Sequence, residues 1–131
     1  HVLQQACPMW VPLIENNEQK SKGADFFIKK YIHNLLHREE RIDTILLACT
    51  HYPLMIKKIK EYMPADMKLL SQGDIVADSL FDYLHRHPEM ETRLSKNGSR
   101  DFFTTDSTAD FDGHTLAFFG ETVQSNHVYL G

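Results

Sequence analysis

The chain has 131 residues, a formal net charge of -4 and a hydrophobic fraction of 42%, enough apolar material for the core of one ordinary domain or of a piece of a larger protein. That hydrophobic content argues against disorder, and the acidic balance gives nucleic acid no electrostatic footing. No apolar run approaches the roughly 20 residues that span a bilayer and no secretory signal is present, so a soluble, cytoplasmic protein without nucleic-acid or membrane partners is expected.

The chain opens HVLQQA without an initiator Met and reads as a fragment cut from a longer protein. VLQQA (residues 2–6) is a weak strand candidate. CPMWVP carries Pro8 and Pro12, which argue for an ordered loop rather than a regular helix. From Ala24 onward, Phe27, Ile28, Tyr31, Ile32, Leu35 and Leu36 recur at helical spacing opposite Lys29, Lys30, Asn34 and Arg38, which predicts an amphipathic helix of about four turns. Residues 42–48 (IDTILLA) are β-branched and aliphatic, as expected of a strand buried on both faces. Pro53 fits the first turn of a following helix with Leu54, Met55, Ile59 and Met63 inward, and Pro64 closes it. Residues 67–70 read as a short strand.

Residues 74–87 form the clearest helix, with Ile75, Val76, Leu80, Tyr83 and Leu84 expected inward. Residues 91–99, which include KNGS, form the one plausible flexible link. RDFFTT (residues 100–105) is strand-like, residues 115–123 are ambiguous, and residues 127–130 are a candidate last strand. Helix and strand alternate across short loops, which predicts an α/β fold with a parallel sheet covered by helices.

Within this order one stretch, LLACTHYPLM (residues 46–55), is chemically unusual. A greasy strand ends in thiol, hydroxyl and imidazole where a plain turn would use Gly, Asn, Asp or Ser. In parallel α/β sheets ligands bind outside the carboxyl ends of strands, and a helix start there favours a thiolate and a bound carboxylate. Cys49 is therefore a candidate base or nucleophile, Thr50 a candidate anion grip, and His51 a candidate proton partner for the thiol. A lone Cys at a strand end is more commonly a small buried hydrophobe, and the neighbouring His is what raises it above that reading. A Cys-x-His pair supplies only two of about four ligands of a structural zinc, and no other spacing completes the set, so no metal is expected. Cys7 and Cys49 are the only cysteines. One bridge between them is conceivable, but reduced thiols are the expectation.

ACTHYPLM (residues 48–55) resembles the second-cysteine motif of the glutamate racemases, Gly-Cys-Thr-His-Tyr-Pro-Leu, with Ala48 in place of the usual Gly. ACPMWVPLIE (residues 6–15) resembles the same family's Ala-Cys-Pro-Leu-Phe-Val-Pro-Leu-Val-Glu, and Phe103-Thr104-Thr105 its later Phe-Thr-Thr segment. Ser71-Gln72-Gly73 departs from the family's Asp-Ser/Pro-Gly. Through these motifs the chain resembles the C-terminal half of a member of the aspartate/glutamate racemase superfamily.

The resemblance implies a two-lobed fold, with residues 1–72 in the second lobe and residues 73–131 returning to the first. It implies interconversion of L- and D-glutamate without a cofactor, supplying D-glutamate for bacterial peptidoglycan. Cys49 would be one of two cysteines working on opposite faces of the α-carbon. His51 would tune that thiol, Glu15 would aid His51 or the substrate ammonium, and Thr50 would bind substrate. Cys7, before a proline, is expected to be packing, and Trp10 to be a lid over the core. The family's first catalytic Cys and its Asp-Ser segment have no counterpart here, so the chain alone is expected to hold half an active site and to be inactive. Apolar surface in the segment after residue 73 is expected to drive self-association, making a homo-oligomer. Three other readings remain open: an aspartate racemase or related two-cysteine isomerase, a Cys-His hydrolase, and a non-catalytic anion-binding α/β module.

Overall fold

The computed structural model describes residues 1–131. The chain forms two compact units, residues 1–83 and 84–131, each built around one pair of parallel strands.

In the first unit, α1 (Trp10–Glu15) leads to α2 (Lys22–Leu36), β1 (Thr44–Leu47), a one-turn 3-10 segment (Tyr52–Met55), α3 (Ile56–Glu61), β2 (Lys68–Ser71) and the start of α4 (Gln72–Arg86). The helix at Trp10–Glu15 corrects the expectation of a loop across CPMWVP. Pro12 is its third residue, where a helix has no intrahelical partner for an N–H, so the missing donor costs nothing. Beyond its end, Asn17 takes the left-handed conformation (φ 56°) that Asn tolerates after a helix C-terminus. The helix α2 runs as its spacing predicts and begins two residues early, because Ser21 Oγ accepts from Ala24 N at 3.2 Å and caps it.

Strand β1 pairs with β2 in parallel, Thr44 opposite Lys68 and Leu47 opposite Ser71. Its inward residues Ile45 and Leu47 pack under the helices, with Ile14, Ile28, Met55 and Ile59 filling the centre. The expectation of burial on both faces does not hold within this chain: Leu46, pointing the other way, is 55% exposed. Residues 2–6 are not a strand either. They line one side of a cavity of about 890 Å³ whose other side is residues 41–48, so they lack the neighbouring ladder that would register them as β.

Helix α4 forms where its periodicity places it, but none of its residues is buried. Ile75, Val76, Leu80 and Tyr83, expected inward, are all exposed.

The second unit holds the last turn of α4, then α5 (Pro88–Glu91), β3 (Phe102–Thr104), α6 (Thr108–Phe118) and β4 (Ser125–His127). Strands β3 and β4 pair in parallel, Phe102 opposite Ser125. The ambiguous 115–123 stretch divides between the end of α6 and the loop after it. The loop is held by Thr115, whose buried hydroxyl donates to Asp112 O at 2.8 Å and accepts from Val123 N at 3.3 Å. No helix is long and apolar enough to cross a membrane.

Candidate active site at the end of strand β1

The backbone turns sharply after β1. Tyr52 N donates to Cys49 O at 3.3 Å and Leu54 N to His51 O at 3.0 Å, so Cys49, Thr50 and His51 form the bend itself. Pro53 then sits in the first turn of the 3-10 segment. That segment is four residues long and α3 only six, so the long helix start expected right behind the thiol is not there. The fifteen-residue α4 begins instead at the neighbouring strand end, immediately after β2. Between the two strand ends lies a cavity of about 290 Å³ lined by Cys49, Thr50, Pro53, Gln72, Gly73 and Val76. This is the carboxyl edge of a parallel pair, where α/β folds hold ligands.

Three of the residues singled out from sequence meet at this bend. His51 Nδ1 lies 4.0 Å from Cys49 Sγ, and His51 Nε2 lies 2.5 Å from Glu15 Oε1. A carboxylate only accepts hydrogen bonds, so Nε2 carries a proton. In the neutral ring Nδ1 is then a lone pair facing the thiol; in the charged ring it is an N–H facing a thiolate. Either way the line Glu15–His51–Cys49 can move a proton onto or off the sulfur. Thr50 is exposed and lines the small cavity beside Cys49.

Helix α1 reaches the bend through Trp10. Its ring meets Tyr52 edge-on at 4.8 Å and Tyr31 of α2 at 6.1 Å, and it is 2% exposed. Trp10 is part of the core itself rather than a lid over it, and it carries the helix whose last residue is Glu15. Tyr52 is the neighbour that sequence reading passed over. Burial, with the negative charge that Cys7, Cys49 and Tyr31 can carry, pushes its hydroxyl above the usual tyrosine range.

The two cysteines are free and differ sharply in setting. Cys49 is half-buried at the bend, while Cys7 is buried, with its Sγ 3.6 Å from Gln5 O. Burial pushes the Cys7 thiol up to about 11, so it stays a thiol at neutral pH and packs rather than reacts. It lines the 890 Å³ cavity together with Trp10 and Tyr52, whereas Cys49 does not. The larger cavity is therefore not where the reactive groups gather.

No family model matches the chain. Individual proteins do. The chain is 31% identical over 129 residues to the glutamate racemase of Streptococcus uberis, a match that covers 98% of the chain and 48% of that protein. It is 43% identical over 77 residues to the glutamate racemase of Sulfurovum sp., covering 59% of the chain and 28% of the relative. By sequence the chain matches the C-terminal half of the glutamate racemases. It spans about half the length of the curated relatives it matches.

Solved glutamate racemases agree. The RacE1 isoform from Bacillus anthracis superposes with a TM-score of 0.79 at 28% identity, over 96% of this chain and 46% of that one. The Thermus thermophilus enzyme, solved in complex with β-chloro-D-alanine, gives 0.77 at 26% identity, over 96% and 47%. The parallel α/β architecture is that of one part of the two-lobed racemase fold.

Proposed function

We propose that this chain supplies one half of the active site of a cofactor-independent glutamate racemase, in which Cys49 exchanges a proton with the α-carbon of glutamate. The observation that carries the proposal is the Glu15–His51–Cys49 line at the carboxyl end of β1, in a chain that matches glutamate racemases over nearly its whole length. A Francisella tularensis glutamate racemase of the same fold was solved with D-glutamate, which supports the choice of substrate.

The chemical difficulty is the α-proton, which is far less acidic next to a carboxylate than a thiol of pKa roughly 8.5. Cys49 as thiolate takes that proton from one face, and a thiol on the opposite face returns one, so the net change is inversion at carbon. His51 holds the proton that leaves or rejoins Cys49, and Glu15 fixes its ring. Thr50 and the free amides at the start of α4, which border the small cavity, would hold the substrate carboxylate and its developing charge.

The opposing thiol has no candidate here, because Cys7 is buried and neutral. The second thiol is assigned to the half of the racemases that this chain does not cover. In this reading residues 1–72 belong to the second lobe, residues 73–131 rejoin the first, and the enzyme supplies D-glutamate for bacterial peptidoglycan.

The test is proton NMR of glutamate in deuterium oxide. The chain alone is expected to leave both enantiomers unracemised. Joined to the N-terminal half of a glutamate racemase it should wash out the α-proton signal, and Cys49→Ser should abolish exchange or make it one-sided between enantiomers. Racemisation by the pure chain, or full activity of the joined Cys49→Ser variant, would overturn the assignment. Exchange of aspartate but not glutamate would move the substrate to the shorter acid, and a trapped acyl-enzyme would point to a Cys-His hydrolase.

A further inference from the structure

Two extended stretches of the first unit border one cavity with no strand between them. The cavity of about 890 Å³ touches every residue from His1 to Cys7 on one side and every residue from Arg41 to Ala48 on the other. Successive side chains of an extended chain point to opposite faces, so a cavity that meets an unbroken run of residues lies along the backbone edge and not over one face. We infer that this cavity is a slot for one further β-strand, parallel to β1, supplied by the N-terminal half of the racemases, which this chain does not cover. The slot requires only family membership and backbone geometry, and is independent of the proton chemistry at Cys49.

The backbone on both sides lacks partners. Lys68 N donates to Asp43 O at 2.9 Å, which turns the peptide groups of Asp43, Ile45 and Leu47 toward β2. Thr44, Leu46 and Ala48 then direct their N–H and C=O to the opposite edge, where β1 has no neighbour in its sheet. Along residues 2–7 burial alternates, with Leu3, Gln5 and Cys7 more covered than Val2, Gln4 and Ala6. That is the period of a strand, and no ladder accompanies it. The floor between the two edges is Trp10, Tyr31, Ile32, Leu35 and Tyr52. A small molecule offers a few polar atoms, whereas an inserted strand offers N–H and C=O to both edges at their own repeat of about 6.6 Å.

Size and direction select one parallel strand. Seven extended residues run about 23 Å, so 890 Å³ over that length leaves a cross-section of about 39 Å². One strand in a packed sheet occupies about 48 Å², from spacings of 4.8 and 10 Å, and a helix of 10 Å diameter about 80 Å². Arg38 Nη1, ahead of β1, donates to Gln4 O at 2.6 Å, while Trp10 and Tyr52, just beyond both stretches, meet at 4.8 Å. The two sides therefore run the same way. A strand entering between them completes a parallel sheet under helices, which demands a Val/Ile/Leu-rich segment. Its carboxyl end would arrive at Trp10 and Tyr52, beside the bend that carries Cys49. A second copy is a poor donor, because its β-strands are already paired and its residues 2–6 carry two glutamines.

The experiment is residue-resolved amide hydrogen exchange, comparing the chain alone with the chain joined to the N-terminal half of the Streptococcus uberis glutamate racemase. Thr44, Leu46 and Ala48 are expected to slow by about tenfold or more in the joined protein, together with amides of residues 2–6. Ile45 and Leu47, already bonded to β2, should change far less, and Cys49→Ser should leave the pattern unaltered. A second measurement titrates the chain with peptides of about ten residues tiling that N-terminal half, since an added strand pairs along its whole length. Trp10, the single tryptophan and a wall of the cavity, reports by its fluorescence. One apolar peptide should bind, and Leu46→Pro, which deletes an N–H without a partner in the chain alone, should weaken it about tenfold. Unchanged exchange at Leu46 in the joined protein, or equal peptide affinity in Leu46→Pro, would overturn the slot. Protection that grows with the concentration of the chain alone would place a second copy there instead and overturn the assigned occupant.

Discussion

Glu15 and His51 stand 36 positions apart in the chain and meet at 2.5 Å, carboxylate to Nε2. The contact joins the last residue of α1 to the bend after β1 and decides which ring nitrogen faces Cys49. Replacing Glu15 by Gln keeps an acceptor of similar shape and removes the charge, so the bond weakens and the amide no longer forces one tautomer. In the chain joined to the N-terminal half of a glutamate racemase, α-proton exchange is expected to fall roughly tenfold with Glu15→Gln. With His51→Asn, which removes the proton carrier, the expected fall is about 10²–10⁴-fold. Stability should move by no more than about 1 kcal/mol with Glu15→Gln, because the pair is partly solvated. Unchanged exchange in Glu15→Gln would make Glu15 a bystander.

The two thiols should separate chemically. At pH 8 iodoacetamide is expected to modify Cys49 and to spare Cys7, whose thiolate fraction at a pKa of about 11 is on the order of one part in a thousand. Peptide mapping after brief alkylation reads the result, and rapid labelling of Cys7 in the folded chain would contradict its placement.

The Cys7 shift also fixes a pH dependence. The folded state holds its thiol proton up to about pH 11, while the unfolded chain releases it near the ordinary thiol value of 9.0. The contribution is present in full below about pH 9 and is lost as pH rises through 11, amounting to roughly 2–3 kcal/mol. Urea midpoints across that range should fall, and Cys7→Ala should flatten the fall. Tyr52, also raised by burial, should leave a residual slope above pH 10.

Ile59 on α3 is fully buried among the residues that seat the helices on β1. Ile59→Ala is expected to cost about 2–5 kcal/mol, the transfer term plus the cavity left behind. Equilibrium urea unfolding measures it, and a loss under 1 kcal/mol would mean that the site collapses around the smaller side chain.

Helix α4 exposes Val76 at 61% and Phe81 at 76%, together with Ile75 and Leu80, an apolar surface large enough to promote association. The chain is expected to self-associate in sedimentation velocity runs, and Leu80→Lys with Phe81→Glu to shift it toward monomer. A strictly monomeric parent chain at high concentration would refute this.

Much of this architecture was legible beforehand, for identifiable reasons. The spacing of Ile28, Tyr31 and Ile32 marks α2 because a helix that buries one face must repeat every three or four residues. CTH after an aliphatic run marked the candidate site because no simple turn needs those side chains. What stayed hidden depends on long-range contact. Pro12 hid α1, since a proline harmless in a first turn looks the same as one that breaks a helix. Residues 2–6 looked like a strand, but strand identity requires a neighbour. The stretch TADFDGHTLAF gives α6 no clean apolar stripe, with Gly113 at its middle.

Thr44 pairs with Lys68 and Phe102 with Ser125, so both parallel pairs close loops of similar length at similar entropic cost. What each loop returns differs. Between β1 and β2 it brings Met55 and Ile59 into a dry interior; between β3 and β4 the one buried residue is Thr115. Amide protons of β1 should therefore exchange with solvent far more slowly than those of β3, and a protease meeting this chain should find its first cuts after residue 84.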